Sequence, residues 1–301
     1  AQCGADGVGL YRTEFAYFTD RLPSEEDLLA EYAAVAQRAA PDRVVFRTLD
    51  VGADKMLHAQ AVLKEPNPAL GLRGIRMAQV RPDVLDQQLR ALLQVSPLAR
   101  CRILLPMVTS VSEVEEVLYL LERDWIAVQE EEQVKITKPK IGIMVEVPSV
   151  LFQIDEFAEL VDFFSVGSND LTQYLLAVDR NNPHVANVYS HFHPSVLRAL
   201  QNLVQACHQQ QKPISVCGEM AGDPLTAILL MAMGFNTLSM SSSNILRVRK
   251  AICHVPMADA KQLLDNVLQM NNPLVIKSWL EHYFKTHGLA DMVKSNRLVS
   301  A

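Results

Sequence analysis

Read for apolar and polar positions alone, the chain alternates between two rhythms. Short apolar, β-branched runs at Gly7–Tyr11, Val44–Leu49, Arg102–Met107, Lys140–Val145, Phe163–Val166, Ile214–Val216 and Thr237–Met240 predict strands. Between them apolar residues recur at i, i+3, i+4 and i+7, as in Pro82–Leu93, Val111–Leu121 and Ser195–Cys207, and predict helices. Such alternation predicts a parallel sheet covered by helices, and this many repeats favours an α/β fold of the TIM-type (β/α)8 barrel over an open sheet. Seven strands are counted and the chain opens in what reads as a loop or helix end, so a barrel lacking its first strand is expected. After about Pro256 the pattern is purely helical, in Ala258–Met270 and Val275–His287. The expected organisation is a barrel over residues 1–256 and a helical extension over 257–301 packed on it. Two stretches break the rhythm. Asp50–Arg76, rich in Pro, Gly and charge, reads as a functional loop, and Glu130–Lys138 as a solvated hairpin.

Composition narrows the classes without choosing among them. With 49% hydrophobic and 21% charged residues the chain is an ordinary globular one. A net charge of −6 gives no bulk attraction for nucleic acid or anionic lipid. The longest apolar stretch, near Ala227–Phe235, falls well short of the roughly 18 residues of a membrane span. Five cysteines without a CxxC pair read as reduced thiols, which points to a cytoplasmic protein.

Chemistry appears once each predicted strand is followed to its end. In a barrel the carboxyl ends of the strands share one face, where catalytic groups collect. The first strand ends in Arg12-Thr13-Glu14, and the second carries Arg47 and runs on to Asp50 and Lys55. The fourth ends in Glu146, the fifth leads to Asn169-Asp170, and the sixth to Cys217-Gly218-Glu219. Two carboxylates from neighbouring strands, Glu146 and Asp170, can hold Mg²⁺, which fills its shell with water and substrate oxygens. Arginines offer charged donor forks for phosphate and carboxylate. A thiol in a glycine-flanked turn can deliver a proton to carbon or act as a nucleophile. The expected ligand is therefore a small, phosphorylated dianion bridged to a metal. Singly, each residue has a plainer reading: a surface arginine, a helix N-cap at Asn169-Asp170, a buried thiol, a carboxylate paired with lysine. The joint pattern outweighs them. His191-x-His193, without a third ligand, is not read as a metal pair.

Several long motifs carry a resemblance. "GVGLYRTEF" (Gly7–Phe15), "FRTLDVGADK" (Phe46–Lys55), "NPALGLRGIR" (Asn67–Arg76), "MVEVPS" (Met144–Ser149), "SVGSNDLTQYLLAVDRNN" (Ser165–Asn182) and "VCGEMAGDP" (Val216–Pro224) occur in order along the chain. Together they resemble the phosphoenolpyruvate-utilising family, most of all the C-terminal phosphoenolpyruvate-binding barrel of enzyme I of the bacterial phosphotransferase system. "HFHPSVLRAL" and "GLADMVKSNR" are similar to its nitrogen-related form. The resemblance implies that phosphoenolpyruvate binds with Mg²⁺, passes its phosphoryl group to a histidine on a separate domain, and leaves as pyruvate. It implies Arg12 and Arg47 on the phosphate with Arg180 assisting, Glu146 and Asp170 on the metal, Asn169 on the substrate and Cys217 as the carbon acid. Lys55 and Arg73 would add positive charge. It further implies a phosphohistidine domain upstream, an HPr-like phosphocarrier protein as partner, and a homodimer. The motifs are shared with pyruvate phosphate dikinase and phosphoenolpyruvate synthase, and a ligand-sensing dimerisation module without turnover is a further alternative. None of the eight histidines sits in the family's glycine-rich phospho-acceptor pattern. Gly52-Ala53 and "MVEVPS" depart from the usual Gly-Gly and Thr-Pro-Ala continuations.

One geometric condition follows. Ten residues separate Asp170 from Arg180, which is about 15 Å along a straight helix. For both to serve one site, the helix beginning near Asn169 has to end near Ala177.

Overall fold

The computed structural model describes residues 4–18, 21–51, 65–96, 100–133 and 135–293. The sequence expectations for Lys55, Ala53 and the first three residues lie outside them. Among the described residues there are seven strands: β1 Gly7–Arg12, β2 Arg43–Arg47, β3 Arg100–Leu105, β4 Lys140–Val145, β5 Phe163–Gly167, β6 Ile214–Cys217 and β7 Thr237–Ser239. The main helices are α1 Glu25–Ala39, α2 Pro82–Val95, α3 Val111–Glu132, α4 Ile154–Leu160, α5 Ser168–Leu176, α6 Pro194–Gln209, the short α7 Glu219–Gly222, α8 Pro224–Met233, α9 Ser242–His254, α10 Met257–Gln269 and α11 Pro273–Thr286. Parallel strands alternating with helices in chain order are the TIM-type α/β fold that the sequence pattern predicts.

The chain divides into two compact units, one of Asp6–Gly167 with Ala206–Ile214, the other mainly of Ser168–Gln205 and the chain from Ser215 onward. In the first, β1 to β5 pair in chain order, every pair parallel, with Arg12 in register opposite Arg47. All five residues of β5 are buried, which explains its continuous apolar run. Helix α1 starts at a capping box: the Ser24 hydroxyl accepts the Asp27 N–H at 3.2 Å and the Asp27 carboxylate accepts the Ser24 N–H at 2.9 Å. Leu28, Tyr32 and Ala36 form the inner stripe of that helix, and Val84, Leu89, Leu92 and Val95 that of α2.

Helix α3 corrects one expectation. The sequence pattern predicts a hairpin from Glu130, but the helix continues to Glu132 and stops where Gln133 takes a left-handed conformation, φ 52°. The reason is a second amphipathic stretch, Glu122–Glu132, with Asp124 and Val128 facing inward. The chain beyond is tied back on it, because the Trp125 indole donates to the Ile136 carbonyl (2.8 Å) and the Gln129 side chain accepts the Ile136 N–H (3.1 Å).

In the second unit β6 and β7 pair in parallel. Its core is α8, the longest apolar stretch of the sequence, buried on nearly every side and packed by α9, α10 and α11. A helix apolar all round belongs in the centre of a helical layer. Among the described residues no helix is long and apolar enough to cross a membrane.

Candidate functional site

Each unit carries one group of the residues singled out in the sequence. In the first unit the group is built at the ends of β1, β2 and β4. Arg47, the last residue of β2, has a side chain only 11% exposed. Its Nη2 donates to Glu14 at 2.6 Å and its Nη1 lies 2.9 Å from Asp50. Arg73 then holds the same Asp50 through two parallel bonds, Nε at 2.9 Å and Nη2 at 2.7 Å. Such forks fix direction as well as distance. Burial alone would lower the Arg47 pKa, but Asp50, Glu14 and Glu146 outweigh it and hold the guanidinium firmly protonated. Its Nε, buried, has no hydrogen-bond partner.

Glu146 follows β4 and is fully buried, accepting the Met107 N–H at 2.7 Å. Gly167, at the end of β5, lies against that carboxylate: a Cβ there would fall 2.5 Å from Glu146 Oε2. The glycine is required by this close approach. Arg12 is not drawn into the group. It is exposed at the end of β1, with its guanidinium 5.6 Å from the centroid of the Phe15 ring.

The second unit's group begins with α5, at Ser168. Ser168 is buried and its hydroxyl donates to the Cys217 carbonyl at 2.6 Å. The Asn169 side-chain oxygen accepts the Glu219 N–H at 3.2 Å, and its backbone carbonyl accepts the Tyr189 hydroxyl at 3.2 Å. Between these anchors Gly218 has φ 99°, and a Cβ there would meet the Ser168 hydroxyl at 2.5 Å. Only glycine fits that turn, so the Cys217 loop and the Asn169 loop form one hydrogen-bonded piece. Cys217 is 5% exposed.

Asp170 sits in the first turn of α5, where a negative charge is favoured. The helix ends at Leu176 and Ala177 turns left-handed, φ 52°. The Val178 N–H bonds to the Gln173 carbonyl at 3.0 Å and the Ala177 N–H to Tyr174 at 3.4 Å, the pairing of a Schellman cap. The Gln173 side chain also accepts the Arg180 N–H at 3.2 Å. The chain thus folds back, and Arg180 Nη2 lies 3.6 Å from Asp170 Oδ1. This is the early helix stop that the sequence argument requires.

Around Arg180 stand two residues that sequence reasoning did not use. Burial pushes the Tyr189 hydroxyl up to about 12, against the pull of Arg180. Burial and then the Arg180 charge push the His191 imidazole down to about 4, so it is neutral at pH 7. His191 Nδ1 lies 3.1 Å from the Thr172 hydroxyl, while its Nε2 and Arg180 Nη1 are buried without a hydrogen-bond partner. In the first unit the overlooked residues are Glu14 and Asp50. Their signal was present, since both stand at strand ends within three residues of an arginine, at Arg12-Thr13-Glu14 and Arg47-Thr48-Leu49-Asp50.

A family model described as "PEP-utilising enzyme, PEP-binding domain" matches residues 1–257. A Salmonella typhimurium protein named for the phosphoenolpyruvate-dependent phosphotransferase system is 40% identical over 96% of this chain and 39% of its own length. A phosphoenolpyruvate-protein phosphotransferase of Haemophilus influenzae is 39% identical over 95% of this chain and 50% of its own. One of Staphylococcus carnosus is 38% identical over 94% and 49%. The chain spans about half or less of the length of the curated relatives it matches.

Proposed function

Because the chain belongs to the phosphoenolpyruvate-utilising enzymes, through their phosphoenolpyruvate-binding domain, we propose that it binds phosphoenolpyruvate and Mg²⁺ for phosphoryl transfer to a histidine carried outside this stretch of chain. The relatives named as phosphoenolpyruvate-protein phosphotransferases support that reading over the dikinase and synthase alternatives. The observation that carries it is Arg47: a buried, permanently charged guanidinium, braced by two carboxylates and left with an unpartnered Nε. A donor held in that state is matched to an anion that arrives without its water.

Glu146 and Asp170 are hard oxygen donors, and the Glu146 carboxylate is seated against Gly167, where a Cβ would fall 2.5 Å from its Oε2. Among the described residues no group of three His, Cys, Asp or Glu side chains is arranged to hold a metal ion by itself. Two protein carboxylates with water and substrate oxygens completing the shell is the way Mg²⁺ is commonly held. When bound there, Mg²⁺ would neutralise charge on the phosphoryl and enolate oxygens. The residues do the rest. Arg12 and Arg47 hold the phosphoryl group with Arg180 assisting and Lys55 and Arg73 adding charge, and Asn169 orients the substrate through its amide nitrogen. As the bond between phosphorus and the enol oxygen breaks, the phosphoryl group passes to the histidine. The electron pair left on the enolate takes a proton from the Cys217 thiol at carbon, giving pyruvate. An HPr-like phosphocarrier would be the next acceptor, and the protein would work as a cytoplasmic homodimer in the nitrogen-related branch. Calorimetric titration with phosphoenolpyruvate tests the reading. Binding with a Kd of roughly 0.1–1 mM, typical of small-metabolite sites, is expected with Mg²⁺ and not without it. No heat under either condition overturns it.

A further inference from the structure

Resting on the reading that Arg47 meets the substrate, we propose that Gln88 is a positioning residue for that arginine. Gln88 lies on the inward face of α2, among Val84, Leu89 and Leu92, and is fully buried. A leucine or methionine would fill such a place without desolvating an amide. The amide is retained with three hydrogen bonds, and where they go is the argument.

Gln88 Oε1 accepts the Leu49 N–H at 2.8 Å. Its Nε2 donates to the Thr13 hydroxyl at 3.0 Å and to the Tyr32 hydroxyl at 2.8 Å. Thr13 passes the connection on, donating its own proton to the Arg47 carbonyl at 2.9 Å. The two backbone segments tied in this way flank the two acids that hold Arg47. Thr13 precedes Glu14, and Leu49 precedes Asp50. One buried amide therefore sets the position of both carboxylates and of the arginine's own backbone. Its orientation is forced: the Leu49 N–H needs an acceptor, and Thr13, its proton committed to Arg47, needs a donor. Tyr32 is kept neutral by burial and completes the set.

This assigns α2, a helix that brings no charged group to the ligand, the task of aiming the guanidinium. It also separates size from polarity. Gln88→Glu keeps the shape but sets an acceptor against Thr13 Oγ1, so it should fail as Gln88→Leu does.

The test uses the whole chain, titrated calorimetrically with phosphoenolpyruvate and Mg²⁺. Gln88→Leu and Thr13→Val should each weaken binding roughly tenfold, the loss of about one buried hydrogen bond to the arginine's frame. Thr13→Ser, which keeps the hydroxyl, should bind as the wild type does. The double variant should lose less than the product of the two single losses, because both act through one network. Wild-type affinity in folded Gln88→Leu or Thr13→Val overturns the proposal, as does equal weakening in Thr13→Ser and Thr13→Val. Where Gln88→Leu fails to fold, the Thr13 pair decides. A second measurement needs no substrate: the Arg47 Nε–H resonance, identified by its absence in Arg47→Lys, should be sharp and slow to exchange in the wild type and broadened in Thr13→Val. A wild type that binds no phosphoenolpyruvate overturns the substrate reading, while the resonance still judges Gln88 and Thr13. An unchanged resonance in Thr13→Val overturns the positioning role whatever the ligand.

Discussion

Two arginines show how differently one fold can prepare a charged donor. Arg47 is gripped at 2.6 and 2.9 Å by Glu14 and Asp50, and its neighbour Arg73 is locked to the same Asp50. Arg180 comes no nearer than 3.6 Å to Asp170, its side chain is 32% exposed, and it depends for its place on a helix cap and a glutamine. The first sits at the end of a strand inside a sheet, where backbone position is fixed by ladder bonds on both sides. The second hangs on a connecting segment after a short helix. A strand end suits a donor whose direction must not vary. A loop suits a group that can shift as charge develops.

The largest effects should come from breaking the rigid arrangement. Arg47→Ala would leave Glu14 and Asp50 buried beside a cavity, and breaking such a pair costs about 3–5 kcal/mol. Denaturant titration should show that loss, and calorimetry no phosphoenolpyruvate binding. Arg180→Ala removes only a partly exposed pair, so stability should change by less than about 1 kcal/mol, while substrate affinity falls. Equal destabilisation by the two variants would overturn the contrast. Cys217→Ala should divide the chemistry instead: binding is retained, but proton exchange at the pyruvate methyl, followed by NMR in the full-length protein, should cease. Normal exchange would show that the proton comes from another group.

The second unit is also where pH should act. His191 is held neutral, with its pKa lowered to about 4, whereas an unfolded histidine titrates near 6.5. Between those values the unfolded chain binds a proton that the native one does not, so native stability falls as the pH drops from about 6.5 to about 4. The shift corresponds to roughly 3 kcal/mol at the acid end. His191→Gln should flatten that part of the stability curve, measured by denaturation at pH 7, 5.5 and 4. A curve as steep as the wild type's would assign the acid sensitivity elsewhere.

What the sequence could reveal of all this follows from the range of each interaction. Strand positions were legible because β-branched runs and burial are local, and Arg12, Arg47, Glu146, Asp170 and Cys217 do lie at or just past the ends of β1, β2, β4, β5 and β6. Glu14 and Asp50 are not marked locally as partners of Arg47, because Glu14 reaches it only through the pairing of β1 with β2, 33 residues away, and Asp50 is shared with the distant Arg73. Gln88 was invisible for another reason: nothing near it in sequence distinguishes a buried amide from a surface one, and its bonds run to residues 39 and 75 positions away. Helix α3 outran its predicted end at Leu121 because the next inward position, Asp124, is a carboxylate and interrupts the apolar stripe before Val128 resumes it. The stop of α5 was foreseeable only by asking what distance the site would require.

That stop gives the smallest and most specific test. Ala177 occupies the left-handed cap position usually filled by glycine, where a Cβ costs about 1–2 kcal/mol. Ala177→Gly removes that strain but loosens the unfolded chain, an entropic cost of about 0.4–1 kcal/mol. The net gain should be about half a kcal/mol, read from the denaturation midpoint. Ala177→Val, β-branched in the same conformation, should lose stability and also weaken substrate binding, because a displaced cap carries Arg180 away from Asp170. If Ala177→Val lowers stability and leaves affinity untouched, Arg180 keeps its place by some means other than the helix end. The loop would then be as rigid as the strand that holds Arg47.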